Sequence, residues 1–285
     1  SMCVLATSPY QNLVVSYHSD VVKQRLLLRF YTPIQRRILK RAKRIIVSSS
    51  SLIESSSMLA DYREKCRVVP FGIDPSPYEN PSEEDLIEEQ RVREQFPAPF
   101  LLFAGRLVYY KGLQYLIEAM REVEGHLVIA GDGPFFANLK LLSRSIAGRV
   151  TFTGDVSDLR LRALMRCCEF FVLPSISNSE TFGLVQLEAM AAKKAIVNTA
   201  LDTGVPWVSL HEKSGLTVPP ADSRALAEAL KRLLSSPQER KEFGERGYDR
   251  LLDSFSVDNM ARKTFEVYRE LSKREDTGQA GGRAE

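Results

Sequence analysis

Phe100-Leu101-Leu102-Phe103-Ala104-Gly105-Arg106-Leu107-Val108-Tyr109-Tyr110-Lys111-Gly112 carries the unit from which the larger part of the chain is built. Its first five residues form an unbroken apolar run, without the alternation of a half-exposed strand. It therefore reads as a strand covered on both faces. A glycine-opened loop with two cations follows, and the spacing beyond it predicts a helix over 112–123. The pattern then repeats. Short apolar runs at 126–131, 150–154, 169–174, 195–199 and 215–218 predict strands, and helices are predicted at 135–147, 158–168, 182–193, 222–236 and 237–253. Such alternation makes a doubly wound parallel sheet.

Upstream the same logic is weaker. Leu13–Tyr17, Arg44–Ser48 and Arg67–Pro70 read as strands, with a helix around Leu52 to Tyr62. These make a partial Rossmann-like unit over 1–74. Residues 75–99 hold five prolines and the acidic run Glu83-Glu84-Asp85, with one predicted helix from Ser82 to Gln95; they read as a connector. The larger domain spans 100–256. A terminal helix over 257–273, placed to cross back to the amino-terminal part, leads into a tail, 274–285, expected to be disordered.

The composition, 44% hydrophobic and 26% charged over 285 residues, is that of a soluble globular protein without a membrane span. Four cysteines without ligand-like spacing read as reduced thiols in a cytoplasm. Ser1-Met2 resembles a vector-derived start, and no secretory signal is visible. The net charge of +3 is uneven: nine bases and no acid lie between Val21 and Ile53. With Leu26, Leu27, Phe30, Tyr31, Ile34, Ile38 and Leu39 at helical spacing, and a break or bend at Pro33, 21–44 reads as a basic amphipathic segment. An anionic membrane surface is its expected partner rather than nucleic acid, since no base-stacking aromatics accompany the charge.

In a sheet of this kind ligands bind beyond the carboxyl ends of the strands. The suspicious residues fall there: Arg106 and Lys111 after the first strand, suited to a diphosphate; Gly131-Asp132-Gly133-Pro134 after the second; Gly154-Asp155-Val156 after the third. After the fourth come Glu180, in a polar loop, and Glu188, among Val185, Leu187, Ala189 and Met190, where an ionised group needs a partner. Core glutamates and a ligand site are both open readings of that pair. Three scattered histidines exclude a metal cluster, and neither a Walker loop nor a Gly-x-Gly-x-x-Gly turn is present.

Phe103-Ala104-Gly105-Arg106 with Lys111-Gly112, Val128 to Pro134, Glu180-Thr181-Phe182-Gly183 through Glu188-Ala189-Met190-Ala191, and Gly215 to Pro220 together resemble, in order and spacing, the retaining glycosyltransferases of family 4. The resemblance is close over about 100–270 and looser over 10–74. It implies the two-domain GT-B architecture, with a complete carboxyl-terminal Rossmann-like sheet and a partial amino-terminal one. It implies transfer of a sugar, with retention, from a UDP- or GDP-sugar to a lipid-linked or polysaccharide acceptor, as in lipopolysaccharide synthesis at the cytoplasmic face of the membrane, with no cofactor and no metal.

By the same resemblance Arg106 and Lys111 hold the donor diphosphate and Glu188 accepts hydrogen bonds from the ribose. Glu180 and His18 stand near the reacting sugar. Backbone amides around Phe182, Gly183 and Leu184 face phosphate, while Val156 and Gly131 line the donor site. Departing phosphate then helps to deprotonate the acceptor in a front-face attack. Family members carry a glycine-rich loop after their first strand, and nothing of the kind precedes His18. A second chain supplying that part, or a nucleotide-sugar-binding module without turnover, are the alternatives this departure leaves.

Overall fold

The computed structural model describes residues 12–19, 25–96 and 98–279. The chain divides into two compact units, one gathering the residues up to Phe71 with those from Val257 onward, the other spanning Gly72–Ser256.

In the first unit, strands β1 (Val14–Tyr17), β2 (Arg44–Val47) and β3 (Cys66–Val68) form a parallel sheet in the order β1-β2-β3. Ile45, Val47, Leu39, Ala42, Leu52 and Leu59 close one core, while Ile46 and Val69 pack with Val267 of the terminal helix. That helix is tied to the sheet by Glu270, which accepts from Arg44 at 2.8 Å and also pairs with Arg67.

Three local expectations change here. Pro33 does not interrupt the helix Arg25–Arg41, whose last turns are anchored by buried Ile38 and Leu39. The helix expected from Leu52 to Tyr62 is instead a short one, Ser50–Ser55, followed by a 3-10 turn at Ala60–Lys65. Serine hydroxyls set its ends: Ser49 caps the start by accepting from the Leu52 amide, and Ser56, extended at the C-cap, accepts from the Leu59 amide in place of a helical bond. The terminal helix runs to Gln279 rather than ending at 273; 280–285 lie outside the described residues.

The second unit holds six parallel strands in the order β6-β5-β4-β7-β8-β9: β4 Phe100–Ala104, β5 His126–Ala130, β6 Val150–Gly154, β7 Phe171–Leu173, β8 Ile196–Thr199 and β9 Gly215–Val218. All six agree with the sequence reading except at their ends. β4 and β5 are buried along their whole length, as apolar runs covered on both faces must be. The order reverses between β4 and β7, opening a crevice between their loops.

Residues 75–99 are part of this unit rather than a free connector. Ser82 caps the helix Glu83–Gln95 through a capping box with Asp85. The helix then lies on Asp158–Cys167, where Arg162 meets Asp85 at 3.0 Å, Arg160 meets Glu88 at 2.7 Å and Arg166 pairs with Glu89. Val92 and Phe96 are buried behind these pairs. The acidic residues of the expected interdomain connector are therefore a docking surface within this unit. Among the described residues no helix is long and apolar enough to cross a membrane.

Candidate donor cleft

The β4 loop is shaped by backbone contact. Gly131 at the end of β5 presses on Gly105, and a Cβ there would stand 2.2 Å from the Gly105 carbonyl oxygen. Leu107 N–H donates to Asp132 O at 2.8 Å, and Gly131 N–H donates to Gly154 O at 2.8 Å. Three loops thus share one floor. An open cleft of about 540 Å³ lies above it, lined by Gly105, Arg106, Gly131, Asp132, Asp155 and Val156 among others. Arg106 is exposed there, free to meet an anion.

Lys111 and Glu180 come from opposite sides of the crevice, the one from the β4 loop and the other from the loop after β7. They form an ion pair, each side chain 11% exposed. Ser175 donates its hydroxyl to Glu180 at 3.2 Å, and Ile176 N–H donates to Tyr110 O at 2.9 Å, so the two loops are joined by backbone as well. Gly112 makes the approach possible: its φ is +70°, and a Cβ on it would lie 1.9 Å from the Pro174 carbonyl oxygen. The loop glutamate is thus the buried one, contrary to the sequence expectation, because its partner arrives from another strand.

Glu188, expected to be enclosed, is half-buried on the helix Val185–Ala191. Its partner in the protein is Tyr78, whose hydroxyl donates to Glu188 Oε2 at 3.2 Å. Burial pushes the Glu188 carboxyl above its usual range, Tyr78 pulls it back, and nearby Asp158 raises it again. Sequence reading passed over Tyr78 because it lies among prolines in the supposed connector.

Between the two glutamates, the Phe182 side chain is not at the surface. It is buried in an aromatic cluster with Trp207 and Phe255, edge-to-face at centroid separations of 6.3 and 6.0 Å. Gln186 holds this turn by donating to Phe182 O and accepting from buried Asn198. Gly183 at φ +71° and exposed Leu184 follow. His18 belongs to the first unit, where it is exposed and its ring lies 5.0 Å from that of Phe71.

Arg106, Gly131 and Val156 therefore share a cleft, Lys111 and Glu180 a buried pair, and Glu188 a contact from outside the motif. A site with cations on one strand loop and one buried and one half-buried carboxylate beyond the next suits a ligand with a diphosphate and hydroxyls.

Residues 86–250 match the protein family described as Glycosyl transferases group 1. The chain is 36% identical over 245 residues to the D-rhamnosyltransferase WbpZ of Pseudomonas aeruginosa, covering 86% of this chain and 64% of that protein. It is 33% identical over 274 residues to the O-antigen chain mannosyltransferase C of Escherichia coli, covering 95% of this chain and 72% of that one. Sucrose-phosphate synthase from Thermosynechococcus elongatus superposes with a TM-score of 0.77 at 26% identity, over 92% of this chain and 68% of that structure.

Proposed function

This chain belongs to the glycosyl transferases group 1 family and has the GT-B fold, and from that premise we propose that it transfers a sugar, with retention, from a UDP- or GDP-sugar to a lipid-linked or polysaccharide acceptor. The observation that carries this reading is the Lys111–Glu180 pair across the β4/β7 crevice, beside the cleft holding Arg106 and Gly131. The rhamnosyl and O-antigen mannosyl names of the relatives support a hexose donor and a growing bacterial polysaccharide as acceptor.

In the reaction, the bond from the sugar's anomeric carbon to the β-phosphate oxygen breaks, and a bond to the acceptor oxygen forms on the same face. The acceptor's proton passes to the departing phosphate. Negative charge therefore grows on the diphosphate, where Arg106, Lys111 and the backbone of Phe182, Gly183 and Leu184 are assigned to meet it. Groups held in place before reaction each lower such a barrier by a few kcal/mol. No resident cofactor or metal is assigned. Glu188 takes the ribose hydroxyls, Val156 and Gly131 flank the nucleoside, and Glu180 orients Lys111 beside the transferred sugar. His18 is assigned to the reacting sugar on resemblance.

The exposed bases Arg36, Arg37, Lys40, Arg41 and Lys43 support peripheral docking on an anionic inner membrane face, each worth about 1 kcal/mol near such a surface. Arg44 does not take part, since Glu270 holds it, and Lys23 lies outside the described residues.

The test is thermal stabilisation by UDP and GDP. At a hundredfold excess over the dissociation constant the bound nucleotide adds about 2.7 kcal/mol. Arg106→Ala and Glu188→Ala should each abolish most of it. Full stabilisation in both variants refutes the donor site.

A further inference from the structure

Glu188 is served from a part of the chain outside the matched motif. Tyr78 sits in the segment between Gly72 and Ser82, and that segment is fastened at several points. Arg166 Nη1 donates to the carbonyls of Pro77 at 3.2 Å and Tyr78 at 3.5 Å. Glu79 accepts from the Tyr248 hydroxyl, and Ile73 N–H donates to Phe255 O at 3.0 Å. Asp74 accepts from the Ser76 amide and hydroxyl at 2.9 and 2.6 Å. The Tyr78 hydroxyl is therefore delivered to Glu188 on a stiff support, not by a loose side chain.

A carboxylate offers about four acceptor positions on its two oxygens. Tyr78 uses one on Oε2, which leaves Oε1 for a ligand's hydroxyls. The charged group felt at Glu188 is Asp158, which repels it, while Arg162 and Arg166 act on Tyr78. Burial and the neighbouring carboxylate raise the Tyr78 phenol well above its usual range, so its proton stays on and it remains a donor. Without that donor, Glu188 is a half-buried carboxylate facing another acid.

We infer that Tyr78 is a positioning residue for donor binding, holding the Glu188 carboxylate aimed so that it accepts the ribose hydroxyls of a nucleoside diphosphate. This rests on the donor-site reading above and extends it to the 72–82 segment. It predicts that Tyr78 and the ribose hydroxyls are energetically coupled through Glu188, although Tyr78 need not touch the nucleotide.

The experiment is calorimetric titration with UDP, GDP and their 2′,3′-dideoxy counterparts, on the wild-type chain, Tyr78→Phe, Glu188→Gln and the double variant. Phe keeps the ring, so the melting temperature reports intact folding. Loss of a hydrogen bond to a charged group predicts roughly tenfold weaker ribonucleotide binding in Y78F. Dideoxynucleotide affinity should stay within about twofold, and Y78F should add nothing in the Glu188→Gln background, as expected of coupled sites. Ribonucleotide binding in Y78F should also fail at a higher pH than in the wild type, since the bond that lowers the Glu188 pKa is gone.

An unchanged ribose preference in Y78F, equal weakening of both nucleotide types, or tighter ribonucleotide binding each overturns the role of Tyr78. If the wild-type chain binds the ribonucleotides with a clear ribose preference, the donor site stands whatever Y78F shows. If it binds neither UDP nor GDP, both readings fall.

Discussion

Removing the carboxylate of Glu180 leaves the ammonium of Lys111 without its partner in a place that water barely reaches. Both side chains are 11% exposed. Breaking one side of a buried ion pair costs about 3–5 kcal/mol, several times the value of a surface pair. Lys111 has little room to escape, because its neighbour Gly112 rests against the Pro174 carbonyl and Ile176 N–H is bonded to Tyr110 O. Glu180→Ala should therefore lower the melting temperature of the apo protein by roughly 6–20 °C, at 2–4 °C per kcal/mol for a unit of this size. In a cycle of Lys111→Met, Glu180→Leu and the two combined, the double variant replaces both charges by apolar groups and should recover much of the loss of either single one, a coupling of about 2–3 kcal/mol. Urea unfolding followed by circular dichroism measures all four corners. A single-variant cost below about 1 kcal/mol, the range of surface pairs, or strict additivity refutes the picture of a buried strut across the crevice. UDP or GDP should also rescue Glu180→Ala more than wild type, because the diphosphate replaces the missing counter-charge.

Gly112→Ala tests the same strut from the backbone. The left-handed conformation and the 1.9 Å approach to Pro174 O together predict a loss of about 2–5 kcal/mol, read as a lower urea midpoint, with weakened nucleotide binding; an unchanged midpoint contradicts the loop geometry. Glu188→Gln tests the raised carboxyl pKa in the apo state. A glutamate whose folded pKa lies above its usual 4.5 holds a proton longer when folded, so wild-type stability declines relative to E188Q as pH rises through that window and levels off above it. Parallel stability curves for the two proteins count against burial of Glu188.

The inner strands of Gly72–Ser256 were legible because they are largely apolar runs too short for a helix, while the edge strand β6 alternates threonine with apolar residues and is half-buried along its length. Arg106, Lys111, Glu180 and Glu188 were legible as a set because they all follow strand ends. Their environments were not. Glu180 looked solvated among Ser177, Asn178 and Ser179, yet Lys111 and Ser175 bury it. Glu188 looked enclosed by its helical neighbours, yet it reaches outward to Tyr78. The packing of the Phe182 ring with Trp207 and Phe255 was not legible, because both partners lie far along the chain. The acidic helix Glu83–Gln95 looked like a linker because its partners, Arg160, Arg162 and Arg166, lie far along the chain.

By itself, then, the sequence determined the alternation of strands and helices, the parallel sheet that follows from it, and the edge of that sheet where chemistry collects. These depend on periodicity and on the handedness of strand connections, which are local or nearly so. Which charge pairs with which, and therefore that Glu180 is the buried carboxylate and Glu188 the half-buried one held by Tyr78, emerges only in the folded chain. Burial and pairing are set by groups brought from other strands. The Lys111–Glu180 contact exists because the strand order reverses between β4 and β7, and the Tyr78–Glu188 contact because the 72–82 segment is fastened to the same unit.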